Sequence, residues 1–164
     1  MDGRDWKSFE TYTELLDKIF AEQSYDAVIH FAAYLSVEES VKDPVKYMTN
    51  NVIRPVSILD AMEQAKVKYF IFSSSAAVYG FPSIVPIPED HPKNPSSPYG
   101  LSKLTFEHLL HVYSRKNTIE SISLRYYNAC GASFDGKYGE SHDPETHLIP
   151  NVLKALTGKL DCIE

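Results

Sequence analysis

Several features that this 164-residue chain lacks narrow its function. It has only two cysteines, Cys130 and Cys162, too few for a disulfide framework or a cysteine metal site. Its longest apolar run, residues 27–35, is too short and too polar to cross a bilayer. Sixteen basic and 22 acidic residues are interspersed, and the net charge of -6 argues against a nucleic-acid surface. Residues 1–9 are polar, so we expect no signal peptide. Taken together, these features predict a cytoplasmic protein that binds neither nucleic acid nor membrane.

Glycine is also scarce, and its placement is informative. None of the seven glycines belongs to a Gly-x-x-Gly-x-x-Gly loop, which in dinucleotide-binding proteins follows the first strand of a βαβ unit. The helix after that loop normally holds the pyrophosphate at its N-terminus. We therefore expect this chain to lack that part of a dinucleotide site.

The apolar residues that are present alternate between strand and helix patterns. Strands are predicted over 25–31, 67–73 and 119–126, and helices over 11–23, 44–66, 98–114 and 147–157. The first strand is almost continuously apolar, which suits a parallel sheet covered on both faces. The long segments 80–97 and 129–146 are predicted loops. With 43% hydrophobic residues, the sequence indicates one compact α/β unit, a Rossmann-like doubly wound parallel sheet that binds ligands beyond the carboxyl ends of its strands.

One pentapeptide carries the chemistry: Tyr99-Gly100-Leu101-Ser102-Lys103. Pro98 suits the first position of a helix, so Tyr99 falls in the first turn, where the helix dipole favours negative charge. Lys103 lies four residues on, on the same face. A free phenol has a pKa of ~10, so a tyrosine base needs such positive neighbours near neutrality. Ser75, at the end of a predicted strand, could hold a substrate oxygen against the phenol. The Tyr-x-x-x-Lys spacing alone also occurs on exposed helices, and its position downstream of a serine-terminated strand favours the catalytic interpretation.

A series of short motifs runs in order from about residue 25 onward. They are Val28–Ala33 (VIHFAA), Glu39-Ser40-Val41 with Pro44, Asn50-Asn51-Val52, Phe72–Gly80 (FSSSAAVYG), Ser97–Gly100 with Ser102-Lys103, Leu124–Asn128 (LRYYN) and Pro144–Pro150 (PETHLIP). In this order they resemble the extended short-chain dehydrogenase/reductase family, and within it the NAD-dependent epimerases and dehydratases of nucleotide sugars. The His147-Leu148 pair within the last motif resembles the corresponding residues of the epimerase branch in particular.

The resemblance implies a cofactor, a substrate and a set of site residues. The cofactor is NAD and the substrate is a UDP-sugar, with UDP-glucose and UDP-galactose interconverted by transient oxidation at C4 as a step of galactose metabolism. The implied catalytic residues are Ser75, Tyr99 and Lys103. The implied cofactor-binding residues are Phe31, Ala32, Ala33, Asn50, Ser75, Tyr99, Lys103 and Tyr127. The implied substrate-binding residues are Ser75, Tyr99, Asn128, His147 and Leu148. Family members of this kind pair their long helices, so a homodimer is implied for the full-length protein.

Set against this family, the chain is expected to be truncated at both ends. Its first strand corresponds to a middle strand of the family sheet, and Glu164 comes before the family's uridine-binding segments. Residues 1–164 are thus predicted to form a partial NAD-binding Rossmann-like domain with the catalytic segment and the start of the substrate-binding region. We expect the isolated chain to be incomplete as an enzyme.

Two other functions fit parts of the sequence. A nucleotide-sugar 4,6-dehydratase of the same superfamily needs an extra acid and base, often just after the strand-end serine or threonine, where this chain has Ala76-Ala77. A non-catalytic domain that binds a nucleotide or partner would explain the missing glycine loop, but not the intact Ser75, Tyr99 and Lys103.

Three weaker patterns favour structural roles. Gly131–Lys137 reads G-x-x-x-x-G-K, but Tyr138 stands where a phosphate-binding loop needs Ser or Thr. The possible ligands Glu140, His142, Asp143, Glu145 and His147 lie in a polar loop without firm spacing, so a solvated loop and no metal site are predicted. His30, Tyr47 and Tyr79 are interpreted as packing residues.

Overall fold

A computed structural model describes residues 6–142, 145 and 147–162, with side chains from Tyr12 onward. The chain forms two compact units, residues 1–125 and 126–164, rather than the one compact unit that its length and composition indicated. Asp143, one of the possible metal ligands, and Pro144 and Thr146 of the PETHLIP motif lie outside the described residues, as do residues 1–5. Within the described part of the chain, every helix is too short or too polar to cross a membrane.

Helices and strands alternate along the chain, as predicted. In order they are α1 (Trp6–Glu22), β1 (Ala27–His30), α2 (Val37–Lys42), α3 (Pro44–Met48), a π-helical stretch (Thr49–Ile53), α4 (Arg54–Ala65), β2 (Tyr69–Ser75), a 3-10 turn (Ala76–Tyr79), α5 (Pro98–Arg115), β3 (Glu120–Tyr126) and α6 (Leu148–Leu156).

The three strands form one parallel sheet in the order β1-β2-β3, which confirms the predicted α/β Rossmann-like class. The register of β1 and β2 runs from Ala27 opposite Tyr69 to His30 opposite Phe72. Because β1 ends there and β2 continues for three more residues, the segment after His30 and the serines of β2 lie at the same edge of the sheet. This is the carboxyl edge, where ligands bind in such folds.

One face of the sheet packs on the helices. Phe70 and Phe72 of β2 are 1% exposed and contact Phe106 of α5, with the Phe72 and Phe106 ring centroids 4.9 Å apart. The remaining buried members of this core are Ile58, Leu59, Met62, Val67, Leu110 and Ile119. The other face carries exposed apolar side chains, among them Ile29, Tyr69, Ile122 and Leu124.

His30 is part of this core, which confirms its interpretation as a packing residue. Its ring stacks on Phe72 at 6.2 Å with an interplanar angle of 14°, and only 7% of the residue is exposed. Burial, with a smaller contribution from the Lys103 charge, lowers the pKa of His30 to about 4. The imidazole is therefore neutral at physiological pH.

The predicted single helix over 44–66 is instead a succession of α3, the π-helical stretch and α4. Pro55, in the first turn of α4, has no N–H to donate to the carbonyl four residues earlier, and the Arg54 N–H bonds to the Thr49 carbonyl five residues back. Helix α2 was not predicted, although Ser36 and Glu39 form an S-x-x-E pattern. The Ser36 Oγ accepts the Glu39 N–H at 3.1 Å and caps that helix.

Candidate active site

Helix α5 begins as its sequence predicts and sets the position of Tyr99. The Ser97 Oγ accepts the Gly100 N–H at 3.1 Å, and Pro98 occupies the first helical position. Tyr99 is therefore in the first turn and is half-buried. The helix N-terminus supplies partial positive charge near its side chain.

Lys103 lies one turn further along α5 and connects this helix with the end of β2. Its Nζ donates a hydrogen bond to the Ser73 carbonyl oxygen at 2.7 Å and lies 5.9 Å from the centroid of the Tyr99 ring. The residue is only 4% exposed, and burial lowers its pKa to about 8. At neutral pH most of the population still carries an ammonium, close to the tyrosine ring.

Ser75 ends β2 and begins the 3-10 turn that follows it. Its Oγ accepts the Ala77 N–H at 3.2 Å and so caps the turn. Gly100 packs directly on this turn, since a Cβ at Gly100 would lie 2.5 Å from the Ala77 carbonyl oxygen. The turn of α5 that carries Tyr99 and the turn after Ser75 are therefore in contact. All three predicted catalytic residues belong to the first compact unit.

Tyr47 packs against the Tyr99 ring. The two rings meet edge to face at 6.4 Å, and the Tyr47 hydroxyl donates to the Glu39 carboxylate at 2.8 Å. Burial and this carboxylate raise the pKa of Tyr47 to about 12. Tyr47 is fully buried and Tyr79 is 4% exposed, which confirms that both are packing residues.

The segment after β1 is held to α5 by a residue to which the sequence analysis assigned no role. Asn51 accepts the Tyr34 N–H and donates to the Tyr34 carbonyl, both at 2.9 Å, and its Nδ2 also lies 3.2 Å from the Ser102 Oγ. Ser102 in turn donates to the Tyr99 carbonyl at 2.7 Å. A clue was present, since two asparagines inside a helical pattern are unusual.

Phe31, Ala32 and Ala33, the predicted dinucleotide contacts, precede Tyr34 in this segment at the carboxyl edge. Asn50, also predicted to contact the dinucleotide, donates to the Asn51 side chain at 3.1 Å.

A second group that the sequence analysis missed lies beneath the strand ends. Glu107 accepts hydrogen bonds from the Ser74 Oγ at 2.6 Å and from Arg125 at 3.0 and 2.8 Å. Arg125 also donates to the Tyr79 hydroxyl at 2.7 Å. Glu107 follows Lys103 by four residues, so the helical spacing could have placed both on one face of α5. The network ties β2, β3 and α5 together next to Ser75.

The remaining predicted residues belong to the second unit. Tyr127 and Asn128 are exposed and follow the end of β3 directly. His147 occupies the N-cap position of α6, and Leu148 is the first residue of that helix. His147 Nδ1 lies 2.8 Å from the Glu145 carboxylate. In the Gly131–Lys137 segment, Lys137 pairs with Asp135 at 3.3 Å, and Ala132 bridges to Gly139 rather than opening a helix. A phosphate-binding loop is thus not formed.

A parallel sheet with Ser75, Tyr99 and Lys103 at its carboxyl edge defines a Rossmann-like α/β domain with a Tyr-Lys site. The chain belongs to the NAD dependent epimerase/dehydratase family, whose family model matches residues 11–164. This confirms the resemblance drawn from the motifs.

Two similar curated proteins are UDP-glucose 4-epimerases. The one from Lactobacillus helveticus is 52% identical over 143 residues, which cover 87% of this chain and 43% of that protein. The one from Lacticaseibacillus casei is 43% identical over an equal length.

Solved structures agree with these sequences. UDP-glucose 4-epimerase from Brucella ovis in complex with NAD is 47% identical, with a TM-score of 0.87 over 92% of this chain and 46% of that one. The Bifidobacterium longum enzyme in complex with NAD+ and UDP is 38% identical, with a TM-score of 0.79 over 90% of this chain and 45% of that one. The chain spans less than half the length of these relatives.

Proposed function

We propose that this chain carries the proton-transfer site of a UDP-glucose 4-epimerase, which interconverts UDP-glucose and UDP-galactose. The observation that supports this most strongly is the position of Lys103, buried, bonded to the end of β2 and 5.9 Å from the Tyr99 ring. An ammonium so placed stabilises a phenolate, as a tyrosine base requires.

The three side chains have separate roles in this proposal. Tyr99 accepts the proton of the sugar C4 hydroxyl and later returns it. Ser75, whose Oγ is fixed as the cap of the 3-10 turn, keeps a hydroxyl proton with which to hold the same sugar oxygen. Lys103 supplies positive charge to the phenolate and ammonium donors to a ribose hydroxyl. A bound NAD would supply the hydride acceptor and donor for the sugar C4, while these three side chains hold and move the proton of its hydroxyl.

The residues present fit the nicotinamide end of NAD. The segment after β1, with Phe31, Ala32 and Ala33, lies at the carboxyl edge and is held there through Tyr34 by the buried Asn51. The small side chains of Ala32 and Ala33 leave the backbone open to a flat ligand. Asn50 is proposed to contact the same ligand, and Tyr127 the nicotinamide. The chain has no glycine loop for the pyrophosphate.

The second unit is proposed to hold the nucleotide-sugar. Asn128, His147 and Leu148 would contact its diphosphate and sugar, and their positions after β3 and at the start of α6 supply polar and helix N-terminal groups suited to an anion. Residues 1–164 would then be a partial NAD-binding domain with the start of the substrate-binding region. An epimerase is favoured over a dehydratase because Ala76 and Ala77, which follow Ser75, carry neither an acid nor a base.

We also propose that the protein is cytoplasmic and that the full-length protein is a homodimer. Cys130 and Cys162 are both exposed and unpaired, as a reducing cytoplasm allows. A homodimer paired through long helices is expected for a protein of the relatives' length. Light scattering coupled to size-exclusion chromatography measures the mass of that full-length protein directly, and the mass of a monomer would contradict the proposed homodimer.

A chimera tests the activity. The matched segment of this chain replaces its counterpart in the Lactobacillus helveticus enzyme, which supplies the remaining length. We expect turnover of UDP-galactose, and a loss of at least about 100-fold in kcat for Tyr99→Phe, because general-base catalysis is worth 10²–10⁴-fold. The control is Tyr113→Phe on the same helix. Among the described residues, the hydroxyl that this variant loses bonds to Asp60. A chimera that folds but is inactive, or a Tyr99→Phe variant as active as the control, would support the non-catalytic alternative.

A further inference from the structure

We propose that Glu140, His142, Glu145 and His147 form a binding site for a transition-metal dication of the Zn²⁺ class. One ligand atom from each of the four side chains lies within 4.8 Å of the other three. The sequence spacing alone indicated a solvated loop, because nothing in it brings the four side chains to one point. The folded loop does so within the second unit, with the two imidazole ring centroids 4.7 Å apart.

The separations are close to those that a metal ion needs. Zn²⁺ binds histidine nitrogen and carboxylate oxygen at ~2.0–2.2 Å in a tetrahedron, so its ligand atoms lie roughly 3.3–3.6 Å apart. The longest separation among the four atoms, 4.8 Å at most, would have to shorten by roughly 1.2–1.5 Å to reach that geometry. Glu140 and His142 are exposed, and rotation of their side chains is enough for a movement of this size.

Each imidazole is already paired with a carboxylate. His142 Nδ1 contacts the Glu140 carboxylate, and His147 Nδ1 lies 2.8 Å from the Glu145 carboxylate. Glu145 is held most firmly, since its side chain is only 4% exposed and also accepts the His147 N–H at 2.8 Å. A ligand fixed in advance reduces the ordering that metal binding would otherwise require.

The ligand set selects the class of metal. Imidazole nitrogens together with carboxylates suit Zn²⁺, Co²⁺, Ni²⁺ and Cu²⁺, whereas Mg²⁺ and Ca²⁺ prefer oxygen ligands alone. This is what separates the group from an ordinary acidic surface. His147, proposed above as a contact of the nucleotide-sugar, would be shared with the metal site. Metal binding can be measured on the chain itself without substrate or NAD, so its failure is distinguishable from a failure of the proposed epimerisation.

The test is calorimetric titration of the metal-free chain with ZnCl₂. We expect one Zn²⁺ per chain and no binding of MgCl₂ under the same conditions. His142→Gln and Glu140→Gln should each weaken Zn²⁺ binding by at least tenfold, because each removes one of four ligands. The matched control is the His108→Gln/His111→Gln pair, which removes two exposed histidines from α5 instead. Circular dichroism checks that each variant keeps the fold, and Glu140→Gln gives a second variant should His142→Gln fail to fold.

Cobalt substitution identifies the ligands directly. Co²⁺ in a tetrahedral site gives intense visible absorption, and thiolate ligands add a charge-transfer band in the near ultraviolet. Because the proposed ligands are nitrogen and oxygen atoms, we expect the visible absorption without the near-ultraviolet band. The Cys130→Ser/Cys162→Ser pair should leave Zn²⁺ affinity unchanged. The proposal is overturned if the chain binds no Zn²⁺ at equimolar concentration, or if the cysteine or α5 variants abolish binding while His142→Gln does not.

Discussion

Gly100 and Ala77 are in close contact where the turn that carries Tyr99 meets the turn that follows Ser75. A Cβ on Gly100 would lie 2.5 Å from the Ala77 carbonyl oxygen and 3.1 Å from the Pro95 Cβ. Glycine is needed here for its lack of a side chain, which lets the start of α5 rest on the 3-10 turn. The separation of the serine and tyrosine side chains is therefore set by backbone packing.

Gly100→Ala should disturb both stability and catalysis. The added methyl group has to displace backbone atoms, so we expect a loss of about 1–3 kcal/mol in the free energy of unfolding. In the active chimera kcat should fall while the KM for UDP-galactose changes less, because the reacting groups shift and the rest of the site does not. Urea denaturation and steady-state kinetics measure the two effects. Gly139→Ala is the control, since among the described residues a Cβ there would meet the Ala132 side chain alone, in ordinary contact at 3.5 Å.

The pH dependence of stability should report the burial of Lys103. Its pKa falls from 10.5 in the unfolded chain to about 8 in the folded one, so in this interval the unfolded state binds the additional proton. The free energy of unfolding should therefore rise with pH from about 8 to about 10, by at most roughly 3 kcal/mol. Above pH 10, Tyr47 acts in the opposite direction. Its raised pKa means that the unfolded chain loses the phenol proton first, so the free energy of unfolding falls as the pH rises further.

Substitution of the lysine isolates this effect. Lys103→Met should remove the rise in stability between pH 8 and 10. Lys42→Met should retain it, because Lys42 is exposed and its pKa is raised by Glu38. Chemical denaturation at several pH values gives the slopes, and equal slopes for the wild type and Lys103→Met would show that the amine is not buried as described.

Glu107 should matter more for stability than an exposed acidic residue does. Its side chain is 8% exposed and neutralises Arg125, so Glu107→Ala leaves a mostly buried guanidinium without its partner and should cost roughly 2–4 kcal/mol. Glu38, 81% exposed in its pair with Lys42, is the contrasting case, and Glu38→Ala should change stability far less. Thermal unfolding of the two variants decides the matter, and equal effects would contradict the network.

Asn51 should be sensitive to the loss of its amide nitrogen alone. Asn51→Asp retains an oxygen for the Tyr34 N–H but loses the donor to the Tyr34 carbonyl, at a cost of about 1–3 kcal/mol. In the chimera this variant should weaken NAD binding, because the segment after β1 loses its attachment to α5. Fluorescence titration with NAD measures this, and unchanged affinity would separate Asn51 from the cofactor site.

Features that depend on residues within one helical turn could be predicted from the sequence, whereas contacts between distant residues could not. The start of α5 was predictable because Ser97, Pro98 and the Tyr99–Lys103 spacing act within one turn. The contacts of Asn51 with Ser102, and of Glu107 with Arg125, join residues 51 and 18 positions apart, and no single-sequence pattern specifies them. The π-helical stretch before Pro55 was likewise missed, because the apolar periodicity continues through it. The four possible metal ligands were visible as residue types, but their convergence was not.

The position of the sugar in a crystal structure tests the central claim most directly. The Tyr99→Phe chimera with bound NAD and UDP-galactose would be crystallised, since loss of the base should trap the substrate. We predict that the sugar C4 oxygen lies within about 2.6–3.2 Å of the Ser75 Oγ and next to the edge of the substituted ring, where the Tyr99 hydroxyl would otherwise reach it. A sugar whose C4 oxygen is turned away from both positions would contradict the assignment of Ser75, Tyr99 and Lys103 as the proton-transfer site.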